Sequence, residues 1–184
     1  MAMTAHVKAI DRSVEQANTW INVVAHEFNT DDRHEAYRVL RAFLHAVRDR
    51  ITAEEGAQLA AQLPGLLRGI FYEGWRPSTT PQTYRDADSF LARIADEALL
   101  GGTTEASYAV AAAARVLERH VSAGEIDDVL ATLPAQIREL LEPTGDAPAG
   151  RQPTARGAAP HGADQARGFP AARYGRKRGD RKKG

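Results

Sequence analysis

A leucine-proline pair occurs twice in this chain, as Leu63-Pro64 within QLAAQLPGLLRGIFYEGW and again, at an offset of 70, as Leu133-Pro134 within DVLATLPAQIRELLEP. Proline lacks an N–H and clashes with the preceding turn of a helix interior, yet it suits the first position of a helix, where that N–H would have had no partner. Each pair lies between two short segments with apolar residues at helical spacing, so each predicts a corner between two helices. Two equivalent corners imply a fold built from two copies of one helical unit.

The same offset, carried backwards, aligns 13–71 with 83–141 without a gap. Identities fall at Ala17/Ala87, Ala25/Ala95, Glu27/Glu97, Glu35/Glu105, Ala36/Ala106, Ala42/Ala112, Glu55/Glu125 and Arg68/Arg138, besides the corner residues. Conservative exchanges such as Trp20/Phe90, Val24/Ile94, Leu40/Val110 and Leu67/Ile137 keep the hydrophobic volume that a packed core needs. The expected fold is all-α: a duplicated four-helix repeat giving a bundle of about eight helices, with repeat one at about 13–73 and repeat two at about 83–142. Two copies point to a pseudo-symmetric pair, not a solenoid.

The residues QLAAQLPGLLRGIFYEGW, preceded by EAYRVLRAFLHAVRDRITAEEGAQL, resemble the bacterial helical proteins grouped as domain of unknown function 2267. The Leu-Pro corner and the following Gly74-Trp75 carry the resemblance, which extends over about 1–142 of the chain. It implies a helical fold and brings with it no catalytic residue, cofactor or activity.

Local signals place the helices. Ser13 is a cap for a first helix to about 28, with Ala17, Trp20, Ile21, Val24 and Phe28 on one face. A second helix is expected over about 32–50. Thr52-Ala53-Glu54-Glu55 reads as a capping box for a third, repeated as Ser122-Ala123-Gly124-Glu125. A fourth runs from Pro64 to about 73, and GWRPSTTPQ connects the halves. The second copy is expected at about 84–99, 104–120, 124–132 and 134–142, with Gly101-Gly102 ending its first helix.

The formal net charge of zero hides an asymmetry. Residues 1–142 hold 14 Lys/Arg against 21 Asp/Glu, a balance of −7, whereas 143–184 hold 10 against 3, a balance of +7. An acidic body with a basic appendage often accompanies an anionic partner. Residues 143–184, rich in Pro, Gly, Ala and Arg, have too little apolar surface to offset the entropy of ordering and are expected to form a disordered basic tail. Absence of cysteine excludes disulfides and thiolate metal sites. No apolar run of signal-peptide or membrane-spanning length appears, so a cytoplasmic protein with no membrane partner is expected.

Catalytic equipment is sparse. His26-Glu27 opens like a zinc-protease motif, but the position four residues after His26 is Thr30. His26, Asp31, Asp32 and His34 cluster near a turn, where capping is the ordinary use of such residues. No metal, cofactor or catalytic residue is assigned.

Three groups remain. His34, Arg38, Arg41, His45 and Arg48 share one face of the second helix, either a solvated stripe or a surface for phosphates or an acidic partner. Their counterparts in the second repeat, Thr104, Tyr108, Ala111, Arg115 and Glu118, do not keep the stripe. Phe71, Tyr72, Trp75 and Arg76 form an aromatic exit from the fourth helix, either plugging the interface between halves or offering an interaction patch. In the tail, Arg173, Arg176, Lys177, Arg178, Arg181, Lys182 and Lys183 surround Tyr174, a composition suited to neutralising phosphates while an aromatic stacks on exposed bases. The expected function is therefore a non-enzymatic binding module whose tail contacts RNA, DNA or the ribosome without sequence specificity. The alternative is a protein-interaction adaptor using the groove between repeats, with the tail as a solubility or autoinhibitory segment.

Overall fold

The computed structural model of the chain describes residues 7–83 and 86–142. These form eight α-helices: α1 (Lys8–Phe28), α2 (Arg33–Arg50), α3 (Ala53–Gln62), α4 (Gly65–Phe71), α5 (Ala87–Ala98), α6 (Thr103–His120), α7 (Ala123–Thr132) and α8 (Ala135–Leu141). A 3-10 turn, Pro77–Thr79, lies in the connector, and no strand occurs among the described residues. The bounds of α2, α3 and α4, advanced by the offset of 70, are those of α6, α7 and α8.

The four longest helices make the centre. Helix α2 packs on α1 and α5, and α6 packs on the same two. The short helices flank them: α4 lies on α1 and α2, α8 on α5 and α6, and α3 touches α7. Phe28, Phe43, Phe71, Phe90, Leu40, Leu67, Ile94 and Ile137 are fully buried in one continuous core. Each such side chain contributes about 1.5–3 kcal/mol on burial.

Both corners have the expected course. Pro64 and Pro134 take the extended conformation just before α4 and α8, and Leu63 and Leu133 are buried. The matching positions of Arg68 and Arg138 acquire a physical reason. Arg68 Nε donates to Ala60 O at 2.7 Å and its Nη2 to Leu63 O at 3.2 Å. Arg138 does the same to Leu130 O at 3.0 Å and Leu133 O at 3.2 Å. Each arginine thus adds side-chain donors to the carbonyls at the end of the helix before its corner.

Several local expectations change. Helix α1 begins at Lys8, so Ser13 is no cap for it; its Oγ instead accepts from Leu66 N at 2.9 Å and caps α4. Gly65 permits this approach, since a Cβ there would meet Ser13 Oγ at 3.2 Å. Gly101-Gly102 does not terminate α5: Leu99 does, at φ 58°, as Asn29 terminates α1 at φ 54°. Asn tolerates the left-handed region, whereas a leucine there costs about 1–2 kcal/mol. Of the two capping boxes, only the hydroxyl half of the first forms. Thr52 Oγ1 accepts from Glu55 N at 3.2 Å. Ser122 does not cap α7, and Glu55 Oε2 is buried without a partner among the described residues.

Candidate functional site

The five residues of the α2 stripe do not form an open surface. His34 is exposed, Arg38 and Arg41 are half-buried, and His45 and Arg48 are each only 5% exposed. The reason is position: α2 is enclosed by α1, α4, α5 and α6, so its polar side faces other helices. Arg38 Nε donates to Ala98 O at 3.0 Å. Arg41 reaches Glu73 at 3.0 Å and Glu97 at 2.5 Å. His45 sits between Glu97 Oε1, 2.6 Å from its Nδ1, and Ile70 O, 2.7 Å from its Nε2. Both neighbours are acceptors, and each lies within hydrogen-bonding distance of one ring nitrogen. Arg48 donates to Phe71 O at 2.6 Å, Glu73 O at 2.9 Å and Asp49, whose carboxylate also takes Arg93. The solvated-stripe reading is therefore corrected: four of the five side chains already have acceptors inside the body.

Glu97 anchors this network. Burial pushes its carboxyl up, but the hydrogen bond from His45, with Arg41 and Arg48 nearby, outweighs burial and holds it below the ordinary carboxylate range. Glu27, seventy residues earlier, is held in the same way. It accepts from Arg115 at 2.8 Å and Arg119 at 2.6 Å, and their hydrogen bonds and charges overcome its burial to hold it low. Arg115 stands seventy residues after His45, so α5 accepts a hydrogen bond from α2 as α1 does from α6. The identity of Glu27 and Glu97 was visible in the sequence; the exchange of His45 for Arg115 concealed the rest.

The aromatic exit also packs inward. Phe71 is buried, Tyr72 and Trp75 are half-buried, and Arg76 is exposed. The Phe71 and Tyr72 rings meet edge to face at 5.3 Å, and Tyr72 meets Trp75 at 5.3 Å. A Cβ on Gly56 would lie 3.9 Å from both Phe71 and Trp75, so these rings rest on the first turns of α3, inside the first half.

A cleft that no motif announced lies at the first corner. About 440 Å³ in volume, it is lined by Gln16, Thr19 and Trp20 of α1, by Gln62, Leu63, Pro64, Gly65 and Arg68 of the corner, and by His120 at the end of α6. Trp20 and His120 form a stacked wall, ring centres 5.0 Å apart and planes 20° from parallel. Burial and the neighbouring Arg119 cation both push the His120 pKa down, so its ring is neutral at neutral pH. Gln62 ties the corner to the second half: Nε2 donates to Ser122 Oγ at 3.1 Å and Glu125 Oε2 at 3.2 Å, while Oε1 accepts from Ser122 N at 2.9 Å. Burial, with Glu55 and Asp128 adding repulsion, pushes the Glu125 carboxyl up against the opposing bond from Gln62. The repeat alignment did not single out Gln62, because the residue seventy positions on is Thr132 and the two do not match.

Arg173, Tyr174, Arg176, Lys177, Arg178, Arg181, Lys182 and Lys183 lie outside the described residues, as does the rest of 143–184. Among the described residues no group of three His, Asp or Glu side chains is arranged to hold a metal, and no helix is long and apolar enough to cross a membrane.

The family model for the uncharacterised conserved proteins of domain of unknown function 2267 matches residues 17–140, from the third turn of α1 to the last turn of α8. A search of curated proteins finds no match.

Proposed function

The chain belongs to the domain of unknown function 2267 family of uncharacterised conserved proteins, and from that premise we propose that it is a non-enzymatic binding module of two duplicated helical halves, whose body receives a protein partner in the cleft at the first corner. The observation that carries this reading is the composition of the cleft walls, which come from distant segments of the chain: α1 and the first corner on one side, the end of α6 on the other. A volume of about 440 Å³ is that of ordinary ligand and side-chain pockets. The duplication is supported by the agreement of helix bounds at the offset of 70, by the paired arginine clamps and by the reciprocal Glu27 and Glu97 ion pairs.

A photo-crosslinking side chain placed at exposed Thr19, compared with one at exposed Glu139 on the second corner, tests the cleft. A discrete protein adduct from the Thr19 position and none from Glu139 is expected. Identical adduct patterns from both positions would reject the cleft as the binding site.

A second reading concerns phosphate. Arg38, Arg41, Arg48, Arg68, Arg93, Arg115, Arg119 and Arg138 donate to acceptors within the body, which supports a reading in which RNA, DNA or the ribosome is contacted by the cations of Arg173–Lys183. The −7 balance of residues 1–142 favours the same division of labour.

A further inference from the structure

We propose that the cleft at the first corner recognises a carboxylate carried on a short apolar stem, such as the free C-terminus of a peptide, with the Arg68 guanidinium as its anchor. The proposal rests on the cleft being a binding site and adds the chemistry of what enters it.

Charge inside the cleft runs against that of the body. Although residues 1–142 are acidic overall, none of the nine residues lining the cleft carries a carboxylate. Arg68 is their one permanent cation. Its Nε and Nη2 are held on Ala60 O, Ala61 O and Leu63 O, which fixes the plane of the guanidinium, while Nη1 has no partner among the described residues. A guanidinium already positioned, with donors left over, suits a carboxylate because little further ordering is needed to bind it. Gln16 and Thr19 add neutral polar groups at the mouth.

The rest of the wall is apolar or flat. Leu63, Pro64 and Trp20 line the cleft as apolar groups, and His120, neutral and stacked on Trp20, adds a ring that does not repel a hydrocarbon stem. The hydrogen bonds of the lining residues reach one carboxylate, that of Glu125, on Gln62 Nε2 at 3.2 Å. Arg138 makes the matching clamp on Leu130 O and Leu133 O at the second corner, so the clamp alone is a structural device, and Arg68 is the one of the two that joins it to this cleft.

The experiment titrates the full chain with 3-phenylpropanoate and with 3-phenylpropanamide, and then with N-acetyl-Ala-Ala-Phe as free acid and as amide, reading the NMR signals of the Trp20 indole N–H and the Gly65 amide. At about 20 mM, above the millimolar Kd expected of so small a ligand, each acid should move both signals, with its amide at least about tenfold weaker. A peptide acid binding more tightly than 3-phenylpropanoate assigns the source as a chain end; the reverse assigns a free small carboxylate. Arg68→Gln should bring the acids down to the level of the amides, whereas Arg138→Gln, which removes the same structural clamp elsewhere, should leave the difference intact. Thr19→Trp, on an exposed position at the mouth, should block all four ligands without unfolding the protein. Equal binding of acid and amide overturns the carboxylate inference and leaves the cleft as a binding site. No movement of either signal by any ligand overturns the inference, and the fate of the cleft reading then rests on the Thr19 adduct.

Discussion

Helices α2 and α6 have the same length, eighteen residues, and both pack on α1 and α5, yet one is charged through its buried side and the other is a run of alanines. Helix α2 buries His45, Arg48, Asp49 and Arg50 along with its apolar residues; α6 buries Ala106, Ala109, Ala112, Ala113 and Ala114. The difference follows from what each helix must satisfy. The polar side of α2 meets Glu97 of α5 and the carbonyls of Ile70, Phe71 and Glu73 at the exit of α4, groups that need donors. In α6 the counterpart of buried Arg48 is Glu118, which is exposed. A stripe of cations at helical spacing can therefore be internal wiring, and periodicity alone does not distinguish that from a wetted face.

The largest effects should separate the two helices most sharply. Arg48→Ala removes a buried donor from two carbonyls and leaves Asp49 short of a partner, so urea unfolding should show a loss of about 3–5 kcal/mol. Glu118→Ala, at the equivalent position on α6, should stay within about 0.5 kcal/mol. Equal costs would break the distinction.

The corners should behave alike instead. Leu63→Ala and Leu133→Ala each truncate a buried side chain, and each should cost about 2–5 kcal/mol in the same assay. If only one of them destabilises, the corners are not equivalent parts of one design.

Glu97→Gln and Glu27→Gln test the reciprocal pairs, each with an expected cost of about 1–3 kcal/mol at neutral pH. Both carboxyls titrate below their unfolded value, so their contribution is present above about pH 4.3 and is lost as pH falls through the folded pKa. The penalty of either substitution should therefore shrink as pH falls through the folded pKa. Glu125 has the opposite sign: raised in the fold, its ionisation costs stability as pH climbs past about 4.3. Glu125→Gln should raise the unfolding midpoint slightly at pH 7 and leave it unchanged at pH 3; a lowered midpoint at pH 7 would contradict the assignment.

The helical course was legible because proline, leucine periodicity and capping residues act locally. The corners at Leu63-Pro64 and Leu133-Pro134, the Asp32 cap of α2 and the Thr52 cap of α3 all follow from neighbours a few residues away. The site was not legible, because its parts come from distant segments. Trp20 and His120 are a hundred residues apart, and Gln62 meets Ser122 only when α3 and α7 touch. Ser13 had the right chemistry for a cap and the wrong assignment: it caps α4, far along the chain, where Gly65 makes room. The stripe failed for a related reason, since Glu97 and the α4 carbonyls that absorb its charge are invisible from α2 alone.

Whether the body's cations serve the fold and not a phosphate partner is tested most directly by a salt titration of binding to generic single-stranded RNA, comparing the full chain with a chain cut after Glu142. With about four to six of the cations of Arg173–Lys183 engaged, the full chain should lose affinity with a log-log slope of about −3 to −4. The chain ending at Glu142 should show no salt-dependent binding while keeping its helical content and unfolding midpoint. Equal binding and equal slopes for the two chains would contradict the account and restore the α2 face as a phosphate-binding surface.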